Sequence, residues 1–101
     1  MSERAAIDLT CVVSRVNDNP AATLDGEVVL LGMEQEKYYW LTGVARRIWE
    51  LLERPIAVSG LVDQLLLEFA IARPECEADV LAFLGQLSAE RLLRIEPSGP
   101  A

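Results

Sequence analysis

Tyr38-Tyr39-Trp40, held between Lys37 and Leu41, constrains the fold of this chain more than any other segment. Neighbouring side chains of a strand point to opposite faces, so three consecutive aromatics place large apolar groups on both sides of it. A small domain can bury only one of those faces. Either Tyr39, in phase with Lys37 and Leu41, or Trp40, in phase with Tyr38, belongs to the core, and the other set is left for a partner. The run passes almost directly into an amphipathic segment carrying Ile48-Trp49-Glu50-Leu51-Leu52, in which Trp49 reads as core.

The flanking residues give a coarse order of three strands followed by three helices. Cys11-Val12-Val13-Ser14-Arg15-Val16 is short and β-branched, and Asn17-Asp18-Asn19-Pro20 ends it with a dense turn signal. Asp25-Gly26 opens Glu27-Val28-Val29-Leu30-Leu31-Gly32, whose consecutive β-branched and leucine residues favour a strand. Met33 to Glu36 is a polar connection back to Lys37, so the two runs form an antiparallel hairpin inside a three-stranded sheet.

Thr42 is read as the cap of a first helix that reaches about Glu53, with Val44, Ile48, Leu51 and Leu52 as its apolar stripe and Pro55 as its stop. Ser59 is read as the cap of a second helix that runs to Phe69. Pro74 starts a third, on which Cys76, Val80, Phe83, Leu84 and Leu87 share one face, flanked on the Phe83 side by Asp79, Gln86 and Glu90. Leu92 to Ile95 adds a short extended piece. Residues 11–96 therefore read as one α+β domain, with 1–10 and 97–101 as flexible tails.

Charge narrows the partners. Acidic residues outnumber basic ones 16 to 9, for a net charge of -7, whereas a nucleic-acid binder gains its affinity from Lys and Arg on phosphates. Between Pro74 and Glu90 there is no Lys or Arg, so the third helix would repel a duplex, and no nucleic-acid partner is expected. No apolar run approaches the roughly 20 residues of a membrane span. No basic segment followed by an apolar stretch marks the N-terminus, so a cytoplasmic location without a membrane partner is expected.

Catalytic constellations are absent from the sequence. Without a histidine there is no Ser-His-Asp or Cys-His arrangement, and the two cysteines, Cys11 and Cys76, lie too far apart in sequence for a C-x-x-C metal or redox motif. The six glycines form no phosphate-cradling loop, and Glu34 and Glu36 sit in a polar turn where solvated carboxylates belong. Ser59, in Val58-Ser59-Gly60-Leu61, lacks the Asp-Ser-Leu setting of an acyl carrier. No enzymatic activity, cofactor or metal is expected.

The last strand of a hairpin is a sheet edge unless something covers it, and an open edge offers unpaired N–H and C=O groups. An extended peptide can add there, while an adjacent helix reads its alternate side chains. A second copy of the chain can use the same edge, so self-association stays open.

The order Tyr-Tyr-x-Leu-Thr followed by Ile-Trp-Glu-Leu-Leu, from Tyr38 to Leu52, resembles the PqqD-like family of peptide-binding domains, also called RiPP recognition elements. Pro55, the run Val58 to Leu65, the run Asp79 to Leu87 and the closing Arg91-Leu92-Leu93 continue the resemblance, which covers roughly Val12 to Ile95. The wording is most similar to the stand-alone leader-binding proteins of lasso-peptide pathways.

The resemblance implies three antiparallel strands against a three-helix, winged-helix-like bundle, with no chemistry of its own. Such proteins hold the leader segment of a ribosomally made precursor as an extra strand and deliver it to a modifying enzyme, in lasso pathways a leader peptidase followed by a macrocyclase. Carried onto this chain, the edge is Lys37, Tyr38, Tyr39, Trp40 and Leu41, and the helical wall includes Asp79, Val80, Phe83 and Leu87. The chain departs from the family wording where Thr42-Gly43 replaces Asn or Asn-Pro, and where Arg91 stands in place of a glycine after the last helix. A winged-helix regulatory or protein-interaction module that does not act on a peptide precursor is the alternative.

Overall fold

The order of elements is β1 (Val12–Arg15), β2 (Ala21–Leu24), β3 (Glu27–Gly32), β4 (Lys37–Leu41), α1 (Gly43–Leu51), β5 (Ile56–Ala57), α2 (Val58–Glu68), α3 (Arg73–Ala89) and β6 (Leu93–Glu96). The computed structural model describes residues 7–16, 21–24, 27–32 and 37–96. The turn expected at Asn17–Pro20, the Asp25-Gly26 opening, the Met33–Glu36 connection, and residues 1–6 and 97–101 of the expected tails lie outside the described residues.

Among the described residues, six strands form two antiparallel sheets of three, in the orders β5-β1-β6 and β2-β3-β4. The hairpin read from the sequence is present, with Val28 opposite Leu41, Leu30 opposite Tyr39 and Gly32 opposite Lys37. Its third member differs from the expected one. The Cys11–Val16 segment does not join it; β1 pairs instead with β6, Val13 opposite Ile95, and with β5, Val13 opposite Ile56. Those partners come from remote sequence, so nothing local announces them. Arg15 fastens the strand further, its N–H donating to the Leu52 carbonyl and its guanidinium standing 5.0 Å from the Trp49 ring centroid.

The place that β1 leaves is filled by β2, whose Leu24 pairs with Glu27. Ala21-Ala22-Thr23-Leu24 has little strand propensity of its own, and its pairing onto β3 makes it a strand. Only Asp25-Gly26 separates the two, a dipeptide strongly preferred in two-residue hairpins.

The three helices form within a residue or two of their expected ends, but neither expected cap makes a side-chain cap bond, and one of them is misplaced. Thr42 is the N-cap of α1, as expected, in extended backbone and with its carbonyl accepting from the Arg46 N–H, but its side chain makes no cap bond. Gly43 follows as the first helical residue, and its φ of +59 turns the chain sharply out of β4. Left-handed backbone of that kind suits glycine because no Cβ meets the carbonyl. Ser59 lies inside α2, with Ala57 as its N-cap. Pro74 occupies the first turn of α3, as expected.

One core joins both sheets to the bundle. Val28, Leu30 and Leu41 from β3 and β4, Val13 from β1, Ile48 and Trp49 from α1, Leu61 and Leu65 from α2, and Val80 and Leu84 from α3 are all buried in it. Ile7 and Leu9, placed in the N-terminal tail by the sequence, also pack against it, and the Leu9 carbonyl accepts a bond from the Ser59 N–H. Both cysteines are buried and free, and burial pushes the Cys76 thiol up, which leaves it a packed apolar group rather than a reactive one.

Candidate functional site

Strand phase decides which aromatics face out. Tyr39 and Leu41 point inward with Val28 and Leu30, whereas Tyr38 and Trp40 are 74% and 60% exposed on the outer face. Trp40 is opposite Val29 there, and its indole N–H donates to Glu27 Oε1, which lays the ring along the sheet. The inward choice is fixed by a contact distant in sequence: the Tyr39 hydroxyl donates to Glu90 Oε2 at 2.7 Å.

Beyond β4, no strand among the described residues continues the sheet. Alternate residues of an antiparallel strand bond to its partner, so the remaining N–H and C=O groups of β4 point away from β3. Alongside lies a small, mostly apolar cleft. Leu30 and Tyr39 form its sheet side, Phe83, Gln86, Leu87 and Glu90 its helix side, and Leu92 completes the lining.

The helix side follows from spacing. Phe83, Gln86, Leu87 and Glu90 recur at three- and four-residue steps, and so line one strip of α3 and its C-terminal cap. Leu92 is brought there by the termination of that helix. The Leu92 N–H donates to the Leu87 carbonyl and the Arg91 N–H to the Ser88 carbonyl, with Arg91 in the left-handed region at φ 62. This is the Schellman pattern, in which the residues at the two ends of the longer bond also make an apolar contact; Leu87 and Leu92 take those places and both line the cleft.

Glu90, at the helix cap, is only 2% exposed. A buried carboxylate is costly unless hydrogen-bonded, and the phenol of Tyr39 supplies one such bond. The same bond, aided by burial, raises the phenol above the ordinary tyrosine value, because ionising it would remove the donor and set two negative charges together.

The residues expected in the site divide into three groups. Tyr39, Phe83 and Leu87 come together in the cleft. Tyr38 and Trp40 lie on the outer sheet face, and Lys37 stands at the start of the edge, opposite Gly32. Leu41 and Val80 are buried in the core, and Leu87 is equally buried beneath the cleft, so Phe83 is the accessible part of the cleft's helix side among the expected residues; Asp79 is solvent-exposed one turn before Phe83. Gln86, Glu90, Leu30 and Leu92 were missed as lining residues. The helical strip through Phe83 already carried the first two, whereas Leu30 and Leu92 needed the sheet pairing and the helix end.

A three-stranded sheet whose β4 edge borders an apolar cleft on a three-helix bundle defines a class of protein rather than a reaction. The family model described as "Coenzyme PQQ synthesis protein D (PqqD)" matches residues 27–93, and the chain belongs to this PqqD family. Among solved structures it is similar to TbiB1 in complex with the TbiA(beta) leader peptide, at 34% identity and a TM-score of 0.68. The likeness covers 87% of this chain and 98% of TbiB1. No curated protein matches the chain.

Proposed function

We propose that this chain binds the leader segment of a ribosomally synthesised precursor peptide by strand addition to β4, and presents it to a leader peptidase or other modifying enzyme in lasso-peptide biosynthesis. The observation that carries the reading is the free β4 edge bordered by the cleft of Tyr39, Phe83 and Leu87. The similarity to TbiB1, solved with a leader peptide, supports it.

In this reading the guest backbone runs along Lys37 to Leu41 and pairs with their outward groups. Alternate guest side chains enter the cleft against Phe83, with Leu87 buried beneath, and the intervening ones lie on the outer face near Tyr38 and Trp40. Val80 supports the wall from behind, and Asp79 offers a charge at its exposed rim. The role is one of binding and delivery, to a peptidase and then to a macrocyclase, in the cytoplasm.

Burial of two or three apolar leader side chains at about 1.5–3 kcal/mol each, less the cost of ordering the peptide, sets the scale of affinity. The expected dissociation constant is micromolar or tighter, about -8 kcal/mol. Fluorescence anisotropy of a labelled lasso-precursor leader peptide measures it. Absence of binding at roughly a hundred times that concentration, with the protein folded, overturns the proposal. Salt-sensitive binding to duplex DNA would replace it with the regulatory winged-helix reading.

A further inference from the structure

Glu90 is the one buried charged side chain among the described residues, and it borders the cleft. Its place is set by the end of α3: Glu90 is the helix cap, its N–H donates to the Gln86 carbonyl, and the left-handed Arg91 immediately follows. From there Oε2 receives the hydroxyl of Tyr39, which is the central residue of β4 and lies on the strand's inner face.

On its other flank β4 is held by β3 alone. An edge strand paired on one side only exchanges and frays more readily than an internal one. The Tyr39–Glu90 bond spans the cleft between strand and helix, so it fixes both the position of the strand and the width of the cleft. A bond to a carboxylate from a positioned hydroxyl is stronger than a neutral one, and a guest that meets an already ordered edge loses less freedom on binding.

We infer that Glu90 is a positioning residue of the peptide site, anchoring Tyr39 so that the free edge of β4 is held ready for an incoming strand. The inference rests on the leader-binding reading above. It assigns Glu90 no contact with the guest; its action is through Tyr39. The raised phenol of Tyr39 is in keeping with this arrangement.

The test combines two measurements on the full chain. Hydrogen exchange of the free protein reads the hold on the strand, and anisotropy with the leader peptide reads the consequence. Tyr39→Phe keeps the ring and removes only the donor, so it reports on the bond even if Glu90→Ala perturbs folding. In both variants the β4 amides bonded to β3 should exchange about tenfold faster, while those between β1 and β6 stay unchanged, and leader affinity should fall about tenfold. Glu90→Gln retains an acceptor and should stay within about threefold of the parent. The double variant Tyr39→Phe/Glu90→Ala should be no weaker than the worse single one, because both remove the same bond.

Unchanged β4 exchange in Tyr39→Phe overturns the inference. Faster exchange with unchanged leader affinity also overturns it, since the bond would then be structural only. If the parent chain binds no leader peptide, the preceding reading fails and the anchoring part of the inference is judged on the exchange rates.

Discussion

The β4 edge of one sheet and the two edges of the other are in opposite conditions. In the β5-β1-β6 sheet, one edge strand is two residues long and passes straight into α2, and the other exposes Arg94 and Glu96. Very short strands and exposed charges are the ordinary means by which proteins discourage unwanted pairing. β4 has neither protection along its middle: it is five residues long, and its exposed central residues are Tyr38 and Trp40. A sheet edge of that kind is a liability unless a partner uses it, so the contrast accords with the proposal that β4 is the working edge and the other sheet scaffold.

The largest expected effect comes from proline in the two sheets. Adjacent residues of β4 turn their N–H groups to opposite sides, so of Tyr39→Pro and Trp40→Pro one removes a group facing the guest and the other a ladder bond to β3. The first should lower leader affinity by roughly a hundredfold or more in a protein that still melts cooperatively. The second should lower the melting temperature. Ile95→Pro in β6 should affect melting alone. Anisotropy and thermal melts of the three variants check this, and equal affinity in all of them would erase the distinction between working edge and scaffold.

Truncating single side chains sharpens the same contrast with a smaller effect. Phe83 is half-buried on the helix side of the cleft, so Phe83→Ala should weaken leader binding by about tenfold, near 1.4 kcal/mol. Val13, 1% exposed in the other sheet, should behave in reverse: Val13→Ala costs about 2 kcal/mol of stability with leader affinity kept. Chemical denaturation beside anisotropy separates the two. A Phe83→Ala protein with parental affinity would show that the cleft is not the part of the surface that meets the peptide.

What the sequence made legible follows the same division. The β3–β4 hairpin and the three helices were readable because their signals are local: alternating runs, apolar stripes at helical spacing, and Pro74 at a helix start. The partners of β1 were not, since Ile56 and Ile95 lie far along the chain and a strand carries no mark of its mate. β2 was missed because Ala21 and Ala22 are weak strand formers, although Asp25-Gly26 pointed to a hairpin. The choice between Tyr39 and Trp40 was undecidable from phase. It turns on an acceptor, Glu90, that lies 51 residues away from Tyr39 and becomes buried only once the helix end is formed.

That helix end supplies the smallest and most specific expectation. Arg91 sits at φ 62, where an L-residue brings its Cβ toward the carbonyl and a glycine does not. The larger freedom that glycine has in the unfolded chain offsets part of the relief. Arg91→Gly should therefore stabilise the protein by only about 0.5–1 kcal/mol, a rise of a few degrees in melting temperature. Because the substitution keeps the Schellman bonds from Leu92 to Leu87 and from Arg91 to Ser88, Glu90 stays in place and leader affinity should hold within about twofold. Differential scanning calorimetry with anisotropy checks both numbers. A drop in stability would mean that contacts of the Arg91 side chain outweigh its backbone cost. A gain in stability with a loss of affinity would mean that the left-handed turn tunes the edge as well as ending the helix, which would draw the cap of α3 into the working half of the molecule.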